Sequence, residues 1–228
     1  MPYSQVKLIS FDLDNTLYDN APVIQLAEQK SREYLTTEFK KQNQSFDYQT
    51  FIDYRDQLVL SEKNLPADQS SKYENLSYLR QKALLQCCEN IDNGLDIASQ
   101  AFELFIHYRN RVTIEAKISK LVKRISKQYT IVSVTNGNCD ANQLSIGNLF
   151  EKHYSPSGGY RAKPHPQMLN QIFADFNLEP NQVLHIGDRD DSDGLAAQKA
   201  GCYYYHFEPF VEKKLNTNQC ERLIQELR

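Results

Sequence analysis

The stretch Val6-Lys7-Leu8-Ile9-Ser10-Phe11, followed by Asp12-Leu13-Asp14-Asn15-Thr16-Leu17-Tyr18-Asp19, decides how the rest of the chain is read. Val6 to Phe11 is a short apolar run of the kind that forms a buried strand. It stops at two carboxylates spaced i, i+2, with a hydroxyl at i+4. In a parallel sheet the carboxyl end of a strand opens into the crevice where such sheets place their ligands. Two acids there repel each other unless a cation or a proton offsets their charge. Asp and Asn also occupy strand-to-turn junctions for turn reasons alone, so the stretch takes its meaning from the rest of the chain.

From about Pro22 to Phe105 the pattern is helical, rich in charge and Gln, with a single glycine, Gly94. Ala21-Pro22 reads as a helix start with Pro in the first turn, and Val23, Ile24, Ala27, Tyr34 and Leu35 fall along one stripe. Further helices are expected over Tyr48 to Leu60, Lys72 to Cys88 and Leu95 to about Arg109, with Leu65-Pro66 as a break. Strand-like runs resume only after this block. Arg111 to Ile114 reads as the returning linker, and Ala116 to Lys127 as an amphipathic helix facing inward with Ile118, Leu121, Val122 and Ile125. Tyr129 to Val134 is a strand ending in Thr135-Asn136-Gly137-Asn138, and Gln143 to Phe150 a short helix or turn. His153 to Ser155 is a brief strand, Pro166 to Phe176 a helix, and Val183 to Ile186 a buried strand ending at Gly187-Asp188. Ala196 to Ala200 is a helix stopped by Gly201. Cys202 to Phe207 is the last strand and Gln219 to Leu227 a terminal helix. Strands alternating with helices imply an α/β fold, a doubly wound parallel sheet interrupted by an inserted all-helical block.

The chemistry lies at the carboxyl ends of the strands. One ends in Asp12-x-Asp14-x-Thr16, another in Thr135-Asn136, and a third in Gly187-Asp188 with Asp193 five residues on, while Lys163 precedes a helix. In a doubly wound sheet these ends meet at one edge. That edge would hold four acids, one fixed cation, and a hydroxyl and an amide able to hydrogen-bond an anion. A hard divalent cation removes the repulsion, and Mg2+ suits a site with few carboxylates that keeps several waters. It would also draw a phosphate dianion in among the acids.

Bulk properties exclude other classes. With 228 residues and a net charge of −3, the chain has the length for one or two domains and no field for nucleic acid or acidic lipid. No apolar run approaches membrane-spanning length, and Met1 to Gln5 lacks the regions of a signal peptide. The five cysteines, Cys87, Cys88, Cys139, Cys202 and Cys220, are odd in number and form no C-x-x-C pair, which points to a reduced, cytoplasmic protein. Oligomeric state cannot be read from these features.

The arrangement resembles the haloacid dehalogenase-like hydrolase superfamily over nearly the whole chain, with Asp12-Leu-Asp-Asn-Thr16, Thr135, Lys163, and Gly187-Asp188 with Asp193 as its four motifs in order. The resemblance implies a Rossmann-like catalytic core, residues 1–18 and 110–228, and a helical cap, residues 19–109. It implies Asp12 as nucleophile, Asp14 as general acid and then base, and Mg2+ held by Asp12, Asp188 and the backbone carbonyl of Asp14. Thr135, Asn136 and Lys163 would bind the phosphoryl oxygens, with Thr16 and Asp193 in support. Asp at position 14 favours a phosphatase, because a halide leaving group needs no proton. The longer run from Asp12 to Ile24, with Thr135-Asn-Gly-Asn138 and His185-Ile-Gly-Asp188, is similar to bacterial phosphatases of the flavin pathway. Those act on 5-amino-6-(5-phospho-D-ribitylamino)uracil and often FMN, although Arg189-Asp-Asp-Ser192 departs from that pattern.

The partner is therefore expected to be a small-molecule phosphate ester. Tyr18, Asn20, Tyr54, Arg55, Tyr73, Tyr78 and Arg80 are the residues available to face it, against the plainer expectation that helical tyrosines pack into the core. His107, His153, His165 and His206 show no metal-ligand spacing, and His185 is expected to steady its strand end. Cys139 is expected to be buried, and Asp190 and Asp191 solvated. Two alternatives stand beside the phosphatase: a phosphomutase of the β-phosphoglucomutase kind, and a binding protein of the same fold without turnover.

Overall fold

The computed structural model describes residues 3–62, 71–211 and 214–227, so the expected break at Leu65-Pro66 lies outside the described residues. The chain divides into two compact units, Met1–Asn20 with Val112–Arg228, and Ala21–Arg111.

The first unit is built on five parallel strands: β1 (Leu8–Phe11), β2 (Thr130–Val134), β3 (Lys152–Tyr154), β4 (Val183–Gly187) and β5 (Tyr203–His206). Their order is β3-β2-β1-β4-β5, which makes this the parallel α/β sheet that the alternating pattern implies. β1 is central, pairing in register with β2 (Phe11 beside Ser133) and with β4 (Phe11 beside Ile186). A strand covered on both faces must be apolar on both, and all four residues of β1 are buried. After β3 the chain crosses back to the other side of β1, so the strand order reverses between β1 and β4. Crevices form outside the carboxyl ends of strands at such a reversal.

The helices of the second unit are α1 (Ala21–Lys41), α2 (Tyr48–Glu62), α3 (Leu76–Cys87) and α4 (Gly94–Arg109). Those of the first unit are α5 (Ala116–Ile125), α6 (Gln167–Phe176), α7 (Leu195–Ala200) and α8 (Thr217–Glu226). On one sheet face Ile9, Phe11, Ile131, Leu184 and Ile186 pack with Ile118, Leu121, Val122 and Ile125 of α5 and Leu223 of α8. On the other, Leu8, Val132, Val134 and Val183 meet Met168, Leu169 and Ile172 of α6 and Ala196 and Ala197 of α7. The period-2 alternation of each strand supplies both faces, and the expected face of α5 is the one it buries. Gly201 closes α7 with φ 78°, the left-handed geometry that glycine adopts without strain.

The short helix or turn expected over Gln143 to Phe150 takes the form of two 3₁₀ turns, Ala141–Gln143 and Gly147–Leu149. Asp140 winds the first by accepting from the Asn142 N–H at 3.0 Å, and Leu144 then turns extended. A small antiparallel pair, Phe210–Val211 with Lys214–Leu215, comes after β5; two-residue strands are too short for a periodic signal.

Among the described residues, the regular elements of the second unit are all helices. Its core gathers Leu35, Phe39, Phe51, Ala83, Leu84, Cys88, Ile97, Ala98 and Ala101. α1 buries Ala27, Ser31, Leu35 and Phe39, an i, i+4 line shifted from the expected stripe because Ser31 donates to the Ala101 carbonyl at 2.9 Å. No described helix is long and apolar enough to cross a membrane.

Candidate active site

Asp12 directly succeeds β1, and its backbone N–H donates to the Ile186 carbonyl of β4 at 2.8 Å. This bond extends the parallel ladder one residue past the strand and brings Asp12 level with the end of β4, where Gly187 and Asp188 begin. The reversal of strand order thus makes neighbours of two residues far apart in sequence.

Lys163 lies under Asp12. Its ammonium donates to Asp12 Oδ1 at 2.7 Å, to the Val134 carbonyl at 2.6 Å, and it pairs with Asp193 Oδ1 at 2.5 Å. An ammonium has three protons, and all three are committed. In this geometry Lys163 holds Asp12. Asn136 clasps the backbone of the same lysine, donating from Nδ2 to the Lys163 carbonyl at 2.7 Å and accepting at Oδ1 from the Lys163 N–H at 2.8 Å. The clasp uses one of the two Nδ2 protons. Thr135 is buried and accepts the Gly137 N–H at 2.9 Å, so its own proton remains to be donated.

Asp193 sits in a π-helical turn, Asp190–Gly194, a form that recurs at functional sites. Its Oδ1 also meets His185 Nε2 at 3.0 Å, and its Oδ2 accepts the Arg189 N–H at 3.1 Å. His185 Nδ1 in turn meets Ser10 Oγ at 2.9 Å. Ser10 and His185 are register partners on β1 and β4, both with no exposed surface. Burial lowers the His185 pKa, so the ring is neutral; it donates from Nε2 to Asp193 and accepts from Ser10 at Nδ1. Gly187 is required here, because a Cβ on it would overlap the Asp193 carboxylate.

The carboxylates are unevenly served. Asp12, Asp188 and Asp193 each place an oxygen within 4.8 Å of the others. Burial pushes Asp12 up to about 7, Lys163 opposing and Asp193 and Asp14 adding to it. Asp188 is raised by burial and by Asp193. Burial would raise Asp193 too, but the Lys163 charge and the His185 hydrogen bond outweigh it and hold that carboxyl far below the usual range. Lys163 stays charged, since the two carboxylates overcome its burial. Between Asp12 and Asp188 lies Thr16, whose hydroxyl is 3.3 Å from Asp12 Oδ2 and 3.3 Å from Asp188 Oδ1. One hydroxyl proton cannot serve both oxygens fully. The donor set therefore fits a hard divalent cation between Asp12 and Asp188, with Asp193 already satisfied by lysine, histidine and backbone.

Asp14 is half-buried. Its Oδ1 accepts from the hydroxyl of Tyr18 at 2.6 Å, and Tyr18 is 1% exposed. Tyr18, considered from sequence as a residue facing substrate, instead turns onto Asp14. Arg80 also proves internal to the helical unit, ion-paired with Glu28 and lying over the Phe105 ring at 3.5 Å. Arg55 pairs with Asp56 at 3.1 Å, and Tyr73 packs edge-on against Tyr78. Tyr54 packs at the margin of the helical core, and the Asn20 N–H donates to Asn15 Oδ1 at 3.1 Å. Asp190 and Asp191 are exposed, bonded to His206 and Arg189 respectively. Cys139 is buried, as expected.

Sequence reasoning missed Ser10 and the clasp by Asn136. A serine in the middle of an apolar strand run was the available signal for the first; the second had none, since an Asn after a strand is common in turns.

Comparison with known proteins shows which families the chain resembles. A 5-amino-6-(5-phospho-D-ribitylamino)uracil phosphatase, YigB, from Escherichia coli K12 is 25% identical over 206 residues, covering 88% of this chain and 82% of that protein. A phosphoglycolate phosphatase from Vibrio vulnificus CMCP6 is 26% identical over 232 residues, covering 92% and 90%. Among solved structures, a 2-haloacid dehalogenase from Pseudomonas syringae pv. Tomato DC3000 superposes with a TM-score of 0.82 at 23% identity, covering 98% of this chain and 100% of that one; at that identity the likeness is one of fold. The family model for haloacid dehalogenase-like hydrolases matches residues 6–201, and the chain belongs to that family.

Proposed function

We propose that the protein is a Mg2+-dependent phosphatase that hydrolyses a small phosphate monoester through a phosphoryl group carried transiently on Asp12. The observation that carries this reading is the Lys163 ammonium bonded to Asp12 Oδ1 at 2.7 Å, within a cluster of three carboxylates. A buried carboxylate held by a fixed cation is placed and ionisable without further activation once a second cation faces it.

An Asp12 oxygen attacks phosphorus, the bond from phosphorus to the ester oxygen breaks, and Asp14 gives the departing alcohol its proton. Water then attacks the phosphoryl group and loses a proton to Asp14. The bond from Asp12 to phosphorus breaks and inorganic phosphate leaves. The Asp12 and Asp188 carboxylates and the Asp14 carbonyl would hold Mg2+, which supplies the positive charge that admits a dianion among acids. Thr135 donates to a phosphoryl oxygen, while Asn136 and Asp193 act through Lys163. An acid at position 14 favours an ester over a halide, despite the dehalogenase fold neighbour.

Residues 1–18 and 110–228 are assigned as the catalytic core and 19–109 as its helical cap. The five free cysteines support a cytoplasmic setting. The names of the relatives put 5-amino-6-(5-phospho-D-ribitylamino)uracil and phosphoglycolate on the panel of substrates to try, and the resemblance of the motifs to flavin-pathway phosphatases adds FMN. The experiment is phosphate release from such a panel by the purified protein with Mg2+, repeated with chelator and with Asp12→Asn. Turnover of at least one ester, lost in both controls, is expected. An inert wild type, or an Asp12→Asn protein with near-wild-type turnover, refutes the assignment.

A further inference from the structure

A buried phenol needs a hydrogen-bond partner, and that of Tyr18 is the carboxylate assigned as proton carrier. The contact is built in, because the turn that makes it is anchored at both ends. Leu13 and Leu17 have no exposed surface, and both pack with the Tyr18 ring in the core beneath the sheet edge. The Leu17 N–H closes on the Leu13 carbonyl at 2.8 Å, and the Asn15 N–H on the Tyr18 carbonyl at 2.8 Å. Asn15 supplies the left-handed residue that this tight return needs, with φ 59°. The backbones of Asp14 and Tyr18 consequently lie side by side as a short bridge. The Tyr18 hydroxyl reaches Asp14 Oδ1 at 2.6 Å, within the range of a direct O–H···O hydrogen bond.

We propose that Tyr18 is a positioning residue for Asp14, holding its carboxyl by Oδ1 in the orientation in which it exchanges a proton with the leaving group and with water. The proposal rests on the reading of Asp12 as nucleophile and Asp14 as proton carrier. Tyr18 keeps its own proton throughout and touches no substrate. The bond fixes the direction of one carboxyl oxygen, and general acid catalysis needs the donor within hydrogen-bond reach of the ester oxygen.

The test separates positioning of a proton from support of the fold by varying the leaving group. p-Nitrophenolate leaves as a stable anion near neutral pH and gains little from a proton, whereas an ethoxide cannot leave without one. Values of kcat/KM, which report steps through departure of the alcohol, are measured with Mg2+ for p-nitrophenyl phosphate and ethyl phosphate. The proteins compared are wild type, Tyr18→Phe, Asp14→Asn and the double variant. Tyr18→Phe keeps the buried ring, and its thermal midpoint is recorded alongside.

Tyr18→Phe is expected to lose about 10-fold on ethyl phosphate, the order set by one hydrogen bond to a charged group, and less than about 2-fold on p-nitrophenyl phosphate. In the Asp14→Asn background the same substitution should cost nothing further, because its effect passes through Asp14. Equal losses on the two esters, no loss on either, or an undiminished loss in the Asp14→Asn background overturns the positioning role alone. A wild type inert toward both of these esters and toward the whole substrate panel, or an active Asp12→Asn protein, overturns the phosphatase reading and this inference with it.

Discussion

Replacing Asp12 by Asn should change stability in a pH-dependent way whose size is set by the site. The native carboxyl is raised from 3.8 to about 7, chiefly by burial. A group whose proton is held more tightly in the folded state stabilises that state fully below its unfolded pKa, and the contribution is lost as pH rises through the folded value. Wild-type protein without metal thus loses stability between about pH 4 and pH 8, whereas the amide does not titrate. Displacement from 3.8 to about 7 corresponds to roughly 4 kcal/mol at about 1.4 kcal/mol per pH unit. Lys163 keeps Asp193 as its partner in the variant, and Asn Oδ1 can still accept its proton, so no charge is orphaned. The variant, inactive as an enzyme, should gain a few kcal/mol on the wild type across that interval. Urea denaturation monitored by circular dichroism, with chelator present at each pH, measures the difference. A stability difference that does not change with pH would show that Asp12 ionises as an exposed carboxylate does, and the crowding of charge inferred around it would be wrong.

The same network sets other outcomes. Lys163→Met should destabilise by about 3–5 kcal/mol, the cost of leaving buried carboxylates without their cation, and should abolish phosphate release; a urea midpoint near wild type would contradict it. Gly187→Ala should cost about 1–3 kcal/mol by pushing a methyl against Asp193, with a matching fall in kcat, read by thermal denaturation and steady-state kinetics. His185 is kept neutral by burial, so the unfolded chain takes up its proton first as pH falls below about 6.5. In the Asp12→Asn background, which lacks the opposing contribution of Asp12, stability should decline through that range, and His185→Gln should remove part of the decline in the same urea series.

The sequence by itself determined the class of the sheet, the strands that end in acids, and the residues worth testing. Those features are local: an apolar run needs no partner to be recognised, and Asp12, Asp14, Thr135 and Asp188 each stand at or just after the end of such a run. Alternation of strands with helices carried the parallel topology, because parallel neighbours require a crossover between them. What each polar group is bonded to was decided by the tertiary structure. Strand order set β1 beside β4 and so joined Ser10 to His185 across 175 positions and Lys163 to Asp12 across 151. The three protons of Lys163 go to Asp12, Asp193 and Val134, and the amide of Asn136 clasps the Lys163 backbone. Tyr18 turned inward to Asp14, in line with the plainer expectation that a tyrosine packs into the core, but its partner could not be read from the sequence. Hydrogen-bond partners depend on distances of a few tenths of an ångström between chain segments whose separation in sequence carries no trace of it. Residue types can nominate a site, but only packing determines which donor each acceptor receives.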